Sequence, residues 1–178
     1  MYKTTLNRNI FFLGRIEDKS VFDLGKQLNE IYKKNSGNWI SLFIGSFGGV
    51  VNTTFGLYEY ITSILKPKLQ TISLGVTSSM APVLFVAGEH RVVGRYTRFS
   101  FHHLGRTIDS SSSRISAAEF QSEGKEFAEL ERIYIEILCD RCGGKLSSRL
   151  LRQWIHDEIT IGAEECVKHG FAHEILKK

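Results

Sequence analysis

Residues 69–87 read Leu69-Gln-Thr-Ile-Ser-Leu-Gly75-Val-Thr-Ser-Ser79-Met80-Ala-Pro-Val-Leu-Phe-Val-Ala87. The first six predict a strand, Leu69 to Leu74. A turn through Gly75 to Ser79 follows, then a small apolar helix from about Met80 to Ala87. The same order of strand, loop and helix occurs twice upstream. Asn9 to Leu13 predicts a strand ending at Gly14. Ser20 to Lys34 carries Val21, Leu24, Leu28 and Ile31 at spacings of three and four, an amphipathic helix with Ser20 as N-cap. Trp39 to Ile44 predicts a strand closed by Gly45-Ser46-Phe47-Gly48-Gly49, and Phe55 to Leu65 a helix stopped by Pro67. Strand and helix alternating through short loops is the pattern of a parallel sheet built from βαβ units. In such sheets, loops that bind or react gather at the carboxyl ends of the strands. The Gly48-Gly49 loop and the Ser78-Ser79-Met80 turn both follow strands, so they belong on one edge.

Downstream, Arg91-Val-Val and Arg98-Phe-Ser-Phe predict strands around Gly94, the second ending at His102-His103. Thr107 to Ser116 is polar, holds five serines, and reads as an exposed turn or mobile segment. Ala117 to Cys139 predicts one long helix, with Phe120, Phe127, Leu130, Ile133, Tyr134, Ile137 and Leu138 as its apolar stripe and Gly143-Gly144 as its stop. Leu146 to Trp154 and Ala163 to His169 predict two further helices, the last capped by Gly170. No repeat or linker interrupts the chain, and residues 1–178 read as a single domain.

The chain has 178 residues, 42% hydrophobic and 24% charged, enough apolar surface for a full core. Its formal charge of +4 is scattered, with no Lys/Arg run interleaved with aromatics, which argues against a nucleic-acid partner. The N-terminus lacks an apolar core of signal-peptide length. The longest apolar stretch, Ala81 to Ala87, is too short to span a bilayer. Three cysteines cannot all pair internally and fit a reducing compartment. The expectation is a soluble, cytoplasmic protein.

A hydroxyl nucleophile needs a base beside it and donors for the oxyanion. Ser79 stands where a strand gives way to a helix. The Met80 amide, at a helix start, is free to donate outward. Gly48 and Gly49, without side chains, let a substrate carbonyl reach a backbone amide. His102 closes another strand and supplies a base. Taken singly these signals are weak, since a serine at a helix start is most often a cap and a strand-end histidine most often structural.

The wording and order of the segments resemble the proteolytic subunits of the Clp protease family. Ile10-Phe-Phe-Leu-Gly14 looks like their first strand. Phe43-Ile-Gly-Ser-Phe-Gly-Gly-Val-Val51 is similar to their Ile-Asn-Ser-Pro-Gly-Gly-Ser-Val loop. Leu57-Tyr58-Glu59 and Lys66-Pro67 fall where the family has Ile-Tyr-Asp and Lys-Pro. Gly75-Val-Thr-Ser-Ser-Met80 resembles Gly-Gln-Ala-Ala-Ser-Met, which carries the nucleophile. Arg98-Phe-Ser-Phe-His102 resembles Arg-Val-Met-Ile-His, which carries the base. Ile137-Leu-Cys-Asp-Arg-Cys-Gly143 and Ala163-Glu164-Glu165 with Gly170 follow its later motifs. The resemblance runs from about Arg8 to Leu176.

It implies an α/β fold of the Clp/crotonase-like superfold, with repeated βαβ units and a protruding handle helix. It further implies subunits assembled into heptameric rings, and a serine endopeptidase acting on unfolded polypeptides or peptides inside a chamber. It places the nucleophile at Ser79, the base at His102 and the oxyanion amides at Gly49 and Met80. It calls for no cofactor and no metal. Ser78 falls on an alanine of the family.

Three positions depart from the pattern. Counting back from Ala-Glu-Glu puts Trp154 where the family has its orienting Asp, whereas counting forward from Gly143 puts Arg152 there. The nearest carboxylate is Asp157, the candidate third member of the triad; the alternatives are a backbone carbonyl or water on His102. Before Arg8 there are seven residues, where the family carries a segment that lines the axial opening and helps dock an ATP-dependent unfoldase; the unfoldase therefore stays an open partner. Phe47 replaces a proline in the Gly-rich loop. A catalytically weak or silent ring subunit with an assembly or gating role is the competing reading. An acyl-CoA enzyme on the same superfold would need CoA-binding features that are not found in the sequence. Cys139-x-x-Cys142 with Cys166-x-x-His169 has knuckle-like spacing, but small buried thiols explain it better than a metal. His103 is expected to face away from His102.

Overall fold

The computed structural model describes residues 8–105 and 117–177; the polar Thr107 to Ser116 stretch lies outside them. A seven-stranded sheet runs in the order β1 (Asn9–Leu13), β2 (Ile40–Ser46), β3 (Leu69–Ser78), β4 (His90–Val93), β7 (Glu174–Ile175). These neighbours pair in parallel. β5 (Arg98–Ser100) adds in parallel to the far end of β3, and β6 (Thr160–Gly162) pairs antiparallel with β5.

The helices are α1 (Asp18–Lys34), α2 (Val51–Glu59), α3 (Ala81–Val86), α4 (Ala117–Arg141), α5 (Ser148–His156) and α6 (Ala163–Lys168). Helices α1, α2 and α3 fall between successive strands β1 to β4. Ile40, Leu42, Ile44, Leu69 and Ile72 from the sheet and Leu24, Leu28, Leu57 and all of α3 from the helices are buried. Such area, removed from water at roughly 25 cal/mol per Å², is the main driving force for closure.

Several boundaries move from those read in the sequence. Helix α1 starts at Asp18, with Glu17 as its N-cap; Ser20 is N3, and its Oγ accepts the Glu17 N–H at 2.9 Å. Ser20 thus caps from inside the first turn, a position that residue type alone does not separate from the N-cap itself. Helix α2 begins at Val51, directly out of the glycine loop, and passes into a π-helical turn, Tyr60–Leu65, ended by Lys66 in the left-handed region. Strand β3 continues past Leu74 to Ser78: a bulge holding Gly75 shifts its register on β2, from Ile44 with Ser73 to Ser46 with Thr77. β6 and β7, of 3 and 2 residues, carry too little pattern to be read in advance.

Two buried arginines tie the sheet to its surroundings through backbone carbonyls. Arg8 donates to the carbonyls of Ile31, Asn35, Asn38 and Trp39, joining β1 to the end of α1. Arg91 in β4 donates to the carbonyls of Gly88, Arg141, Gly170 and Phe171. Burial, then the neighbouring Arg141, pulls its pKa down to about 10.

Beside it, the Arg91 N–H donates to His173 Nδ1 at 2.9 Å. His173 stacks on His90, whose Nε2 lies 3.4 Å from a Glu174 carboxylate oxygen. Burial, followed by the Arg91, His90, Lys145 and Arg141 charges, lowers the His173 pKa from 6.5 to about 4. The folded state then binds fewer protons at this site than the unfolded chain, so its contribution to stability falls as pH drops through that window. The urea midpoint should decrease between pH 7 and pH 5, and His173→Asn, which keeps an acceptor for Arg91, should flatten that decrease.

Candidate active site

Ser79 sits in the turn between β3 and α3 with φ of +57°. A non-glycine residue is rarely held there, because Cβ crowds the backbone at a cost of about 1–2 kcal/mol. Its neighbours enforce the conformation. On the strand side, Ser78 pairs with Ser100 across β3 and β5, and the Ser79 N–H donates to the Ser100 carbonyl at 3.2 Å. On the loop side, Gly48 packs so closely that a Cβ there would fall 2.5 Å from Ser79 Cβ and 2.9 Å from the Met80 nitrogen. Only glycine fits, and its φ of +88° suits glycine as well.

The glycine loop is anchored from below by Ile16. Its N–H donates to the Gly48 carbonyl and its carbonyl accepts the Val50 N–H, each at 2.9 Å. A Cβ on Gly49 would lie 1.9 Å from that Ile16 oxygen. The Gly48 N–H donates to Ser46 Oγ. Among the described residues the N–H groups of Gly49 and Met80 have no hydrogen-bond partner. Two unspent amides therefore lie on the two segments that meet at Ser79. Met80 itself is buried, an anchor for the start of α3.

His102 follows β5 by two residues, so the register that joins Ser79 to Ser100 also brings the His102 segment to this corner. Its side chain is half-buried, and Nδ1 lies 2.8 Å from the His103 carbonyl. A carbonyl only accepts, so this contact puts the proton on Nδ1 and leaves Nε2 with its lone pair. Both histidines lie beyond the strand, which ends at Ser100. His103 turns to α4, its Nδ1 2.9 Å from a Glu131 carboxylate oxygen, with its ring edge-on to His156.

The groups considered for the third position are spread out. Trp154 is in the core, its indole against Phe101 and His169. Arg152 is exposed. Asp157 is the exposed C-cap of α5, its N–H donating to the Gln153 carbonyl. Phe101 N–H donates to the Ile159 carbonyl, extending the β5–β6 pairing by one residue. Glu158, next to Asp157, is an exposed turn residue in the left-handed region, its N–H donating to the Ile155 carbonyl.

The three thiols lie elsewhere. Cys142 and Cys166 are buried, and burial pushes each up to about 12. His169 is engaged by Glu165 at 3.1 Å and by Trp154. Among the described residues no group of three or more His, Cys, Asp or Glu side chains is arranged to hold a metal.

A family profile described as Clp protease matches residues 1–178. Three curated relatives, each an ATP-dependent Clp protease proteolytic subunit from Dehalococcoides mccartyi, align over the whole of this chain and 86% of their own length. Those of strains BAV1 and CBDB1 are 26% identical to it, and that of strain 195 is 27% identical.

The Gly48 contact yields a direct test of this corner. Gly48→Ala should displace the Ser79 turn and cut labelling by a fluorophosphonate about 100-fold, as misplacement of reacting groups by about 1 Å does. Gly56→Ala, where an added carbon meets nothing within 4 Å, should label like the parent. Equal labelling rates for both variants would show that the contact does not govern the site.

Proposed function

The chain belongs to the Clp protease family, and from that premise we propose that it is a serine-type endopeptidase subunit of a ring-shaped compartmental protease. It cleaves unfolded polypeptides or short peptides, with Ser79 as nucleophile and His102 as base. The observation that carries this reading is the left-handed Ser79 turn, closed by Gly48 and hydrogen-bonded to the strand that leads to His102.

In the proposed reaction Ser79 Oγ attacks the scissile carbonyl while His102 Nε2 takes its proton. The Gly49 and Met80 amides receive the oxyanion. The imidazolium returns the proton to the leaving amine, and water then hydrolyses the acyl-enzyme by the same relay. The His103 carbonyl on Nδ1 fixes the reactive tautomer, the task an orienting carboxylate performs elsewhere. A carbonyl carries only a partial charge, so it stabilises the imidazolium less than a carboxylate, and turnover is slow. Asp157 keeps the role of auxiliary acid in this scheme, reached by a shift of the α5–β6 loop when substrate is bound. That carbonyl contact also favours the second reading, a weak or silent ring subunit that assembles or gates beside an active partner.

We assign the chain the Clp/crotonase-like arrangement, with α4 as its handle. Helix α4 has 25 residues, about 37 Å at 1.5 Å per residue. Its buried side chains are Tyr134, Ile135 and Leu138, whereas residues 121–130 include no buried side chain in the single chain. Phe11, Leu13 and Phe22 are 62%, 68% and 72% exposed. Apolar surface of this kind is expected to be covered in an assembly. Among the described residues no helix is long and apolar enough to cross a membrane. A cytoplasmic heptameric ring, served by an ATP-dependent unfoldase, is the setting this reading expects, without nucleic acid or membrane as a partner.

Ser79→Ala should abolish fluorophosphonate labelling and peptide cleavage, whereas Ser78→Ala should leave both. Loss in the folded Ser78 variant alone would remove Ser79 from the role, and a chain unlabelled under all conditions would favour the silent subunit. Light scattering in solution should find a multiple of the 20.2 kDa chain. A clean monomer at micromolar concentration contradicts the ring.

A further inference from the structure

Tyr134, on the C-terminal half of α4, is buried, and its hydroxyl donates to the Ser79 carbonyl at 3.0 Å. That carbonyl has no helical alternative. Residue 82 is a proline without an N–H, and the Val83 N–H donates to the Met80 carbonyl. The Ser79 carbonyl and the Met80 N–H belong to one planar trans peptide, so fixing the direction of the oxygen fixes the direction of the hydrogen. The Ser79 N–H is held by Ser100 at the other end of the same residue.

We infer that Tyr134 is a positioning residue that aims the Met80 amide at the developing oxyanion, by gripping the carbonyl of the same peptide. This rests on the proposed roles of Ser79 and Met80. The grip matters because Ser79 is in a conformation that the chain leaves readily when freed. Without a partner for its carbonyl, the Ser79–Met80 peptide gains by rotating toward an ordinary right-handed or extended geometry, which turns the Met80 N–H away from the site. The hydroxyl remains protonated at any working pH, since burial and then the Glu131 charge hold its pKa far above the usual tyrosine value. Glu131, one helical turn before Tyr134, holds His103 at 2.9 Å. One face of α4 therefore grips both the peptide after Ser79 and the residue after His102.

The test separates oxyanion stabilisation from general damage. Tyr134→Phe removes only the donor and should lower kcat for a peptide ester by roughly 10- to 100-fold with KM little changed, less than the roughly 100- to 1,000-fold of losing an oxyanion donor outright, because the Met80 amide is misaimed and not removed. Affinity for a peptide boronate, whose tetrahedral adduct carries the oxyanion charge, should fall by the same factor. 4-Aminophenylalanine at position 134 retains a donor and should recover most of the loss, whereas 4-fluorophenylalanine should not. The same donor and donor-less pair carries the comparison if Tyr134→Phe does not fold. Wild-type kcat and boronate affinity in the folded donor-less variants would overturn the inference, and so would an equal loss in the donor-bearing one. Ser79→Ala, run alongside, keeps the two failures apart: a chain still labelled without Ser79 refutes the nucleophile and the aiming role that rests on it, whereas a chain that needs Ser79 but is indifferent to the donor at position 134 refutes the aiming role alone.

Discussion

The fit between Gly48 and the Ser79 turn is the constraint on which the rest of this corner depends. The two segments approach until no side-chain carbon can stand between them. Ser79 takes a backbone conformation that isolated serine avoids, and three contacts hold it there: Gly48 at its Cβ, Ser100 on its N–H and Tyr134 on its carbonyl. Each comes from a different element. The conformation is a product of the assembled sheet and α4 together, since no local sequence preference would sustain it.

The sheet supplies the alignment. β2 and β3 run in parallel, so their carboxyl ends, with the glycine loop and the serine turn, share an edge. The bulge around Gly75 lets β3 continue as a second stretch that leaves β4 behind and pairs with β5 instead. That change of partner carries the His102 segment to the serine. Ile16 fastens the glycine loop on its opposite side. The hydrogen-bonded backbone thus does most of the positioning, and the side chains that bear the proposed chemistry need only extend from it.

Beside His102 Nδ1 stands a backbone carbonyl and not a carboxylate. A large indole, Trp154, takes part in the core packing of Phe101 in the region from which an acid was expected. The imidazole turns to the nearest backbone acceptor, the His103 carbonyl. In the proposed scheme that carbonyl fixes the tautomer but supplies only a partial charge in place of a carboxylate's.

Much of this was legible in the residues. Apolar strands alternating with amphipathic helices marked the parallel sheet, because strands buried on both faces read as short continuous apolar runs and one-sided helices as a stripe at spacings of three and four, patterns that need no tertiary information. Ser79, Met80, Gly48, Gly49 and His102 stood out because each is of a type required at a strand end, and their motifs occur in a recognisable order. Other features were decided only on folding. Ser20 lies within its helix because the Glu17 N–H bonds to it. β6 and β7 exist because longer neighbours offer them partners, not because 3 and 2 residues carry a signal. The partner of His102 and the role of Tyr134 are likewise tertiary. In the sequence Tyr134 is one more member of an apolar stripe, 55 residues from the serine. Its hydroxyl acquires a task only when α4 packs on α3, because a hydrogen bond depends on where two atoms finish in space, while periodicity records only which face of a helix is covered.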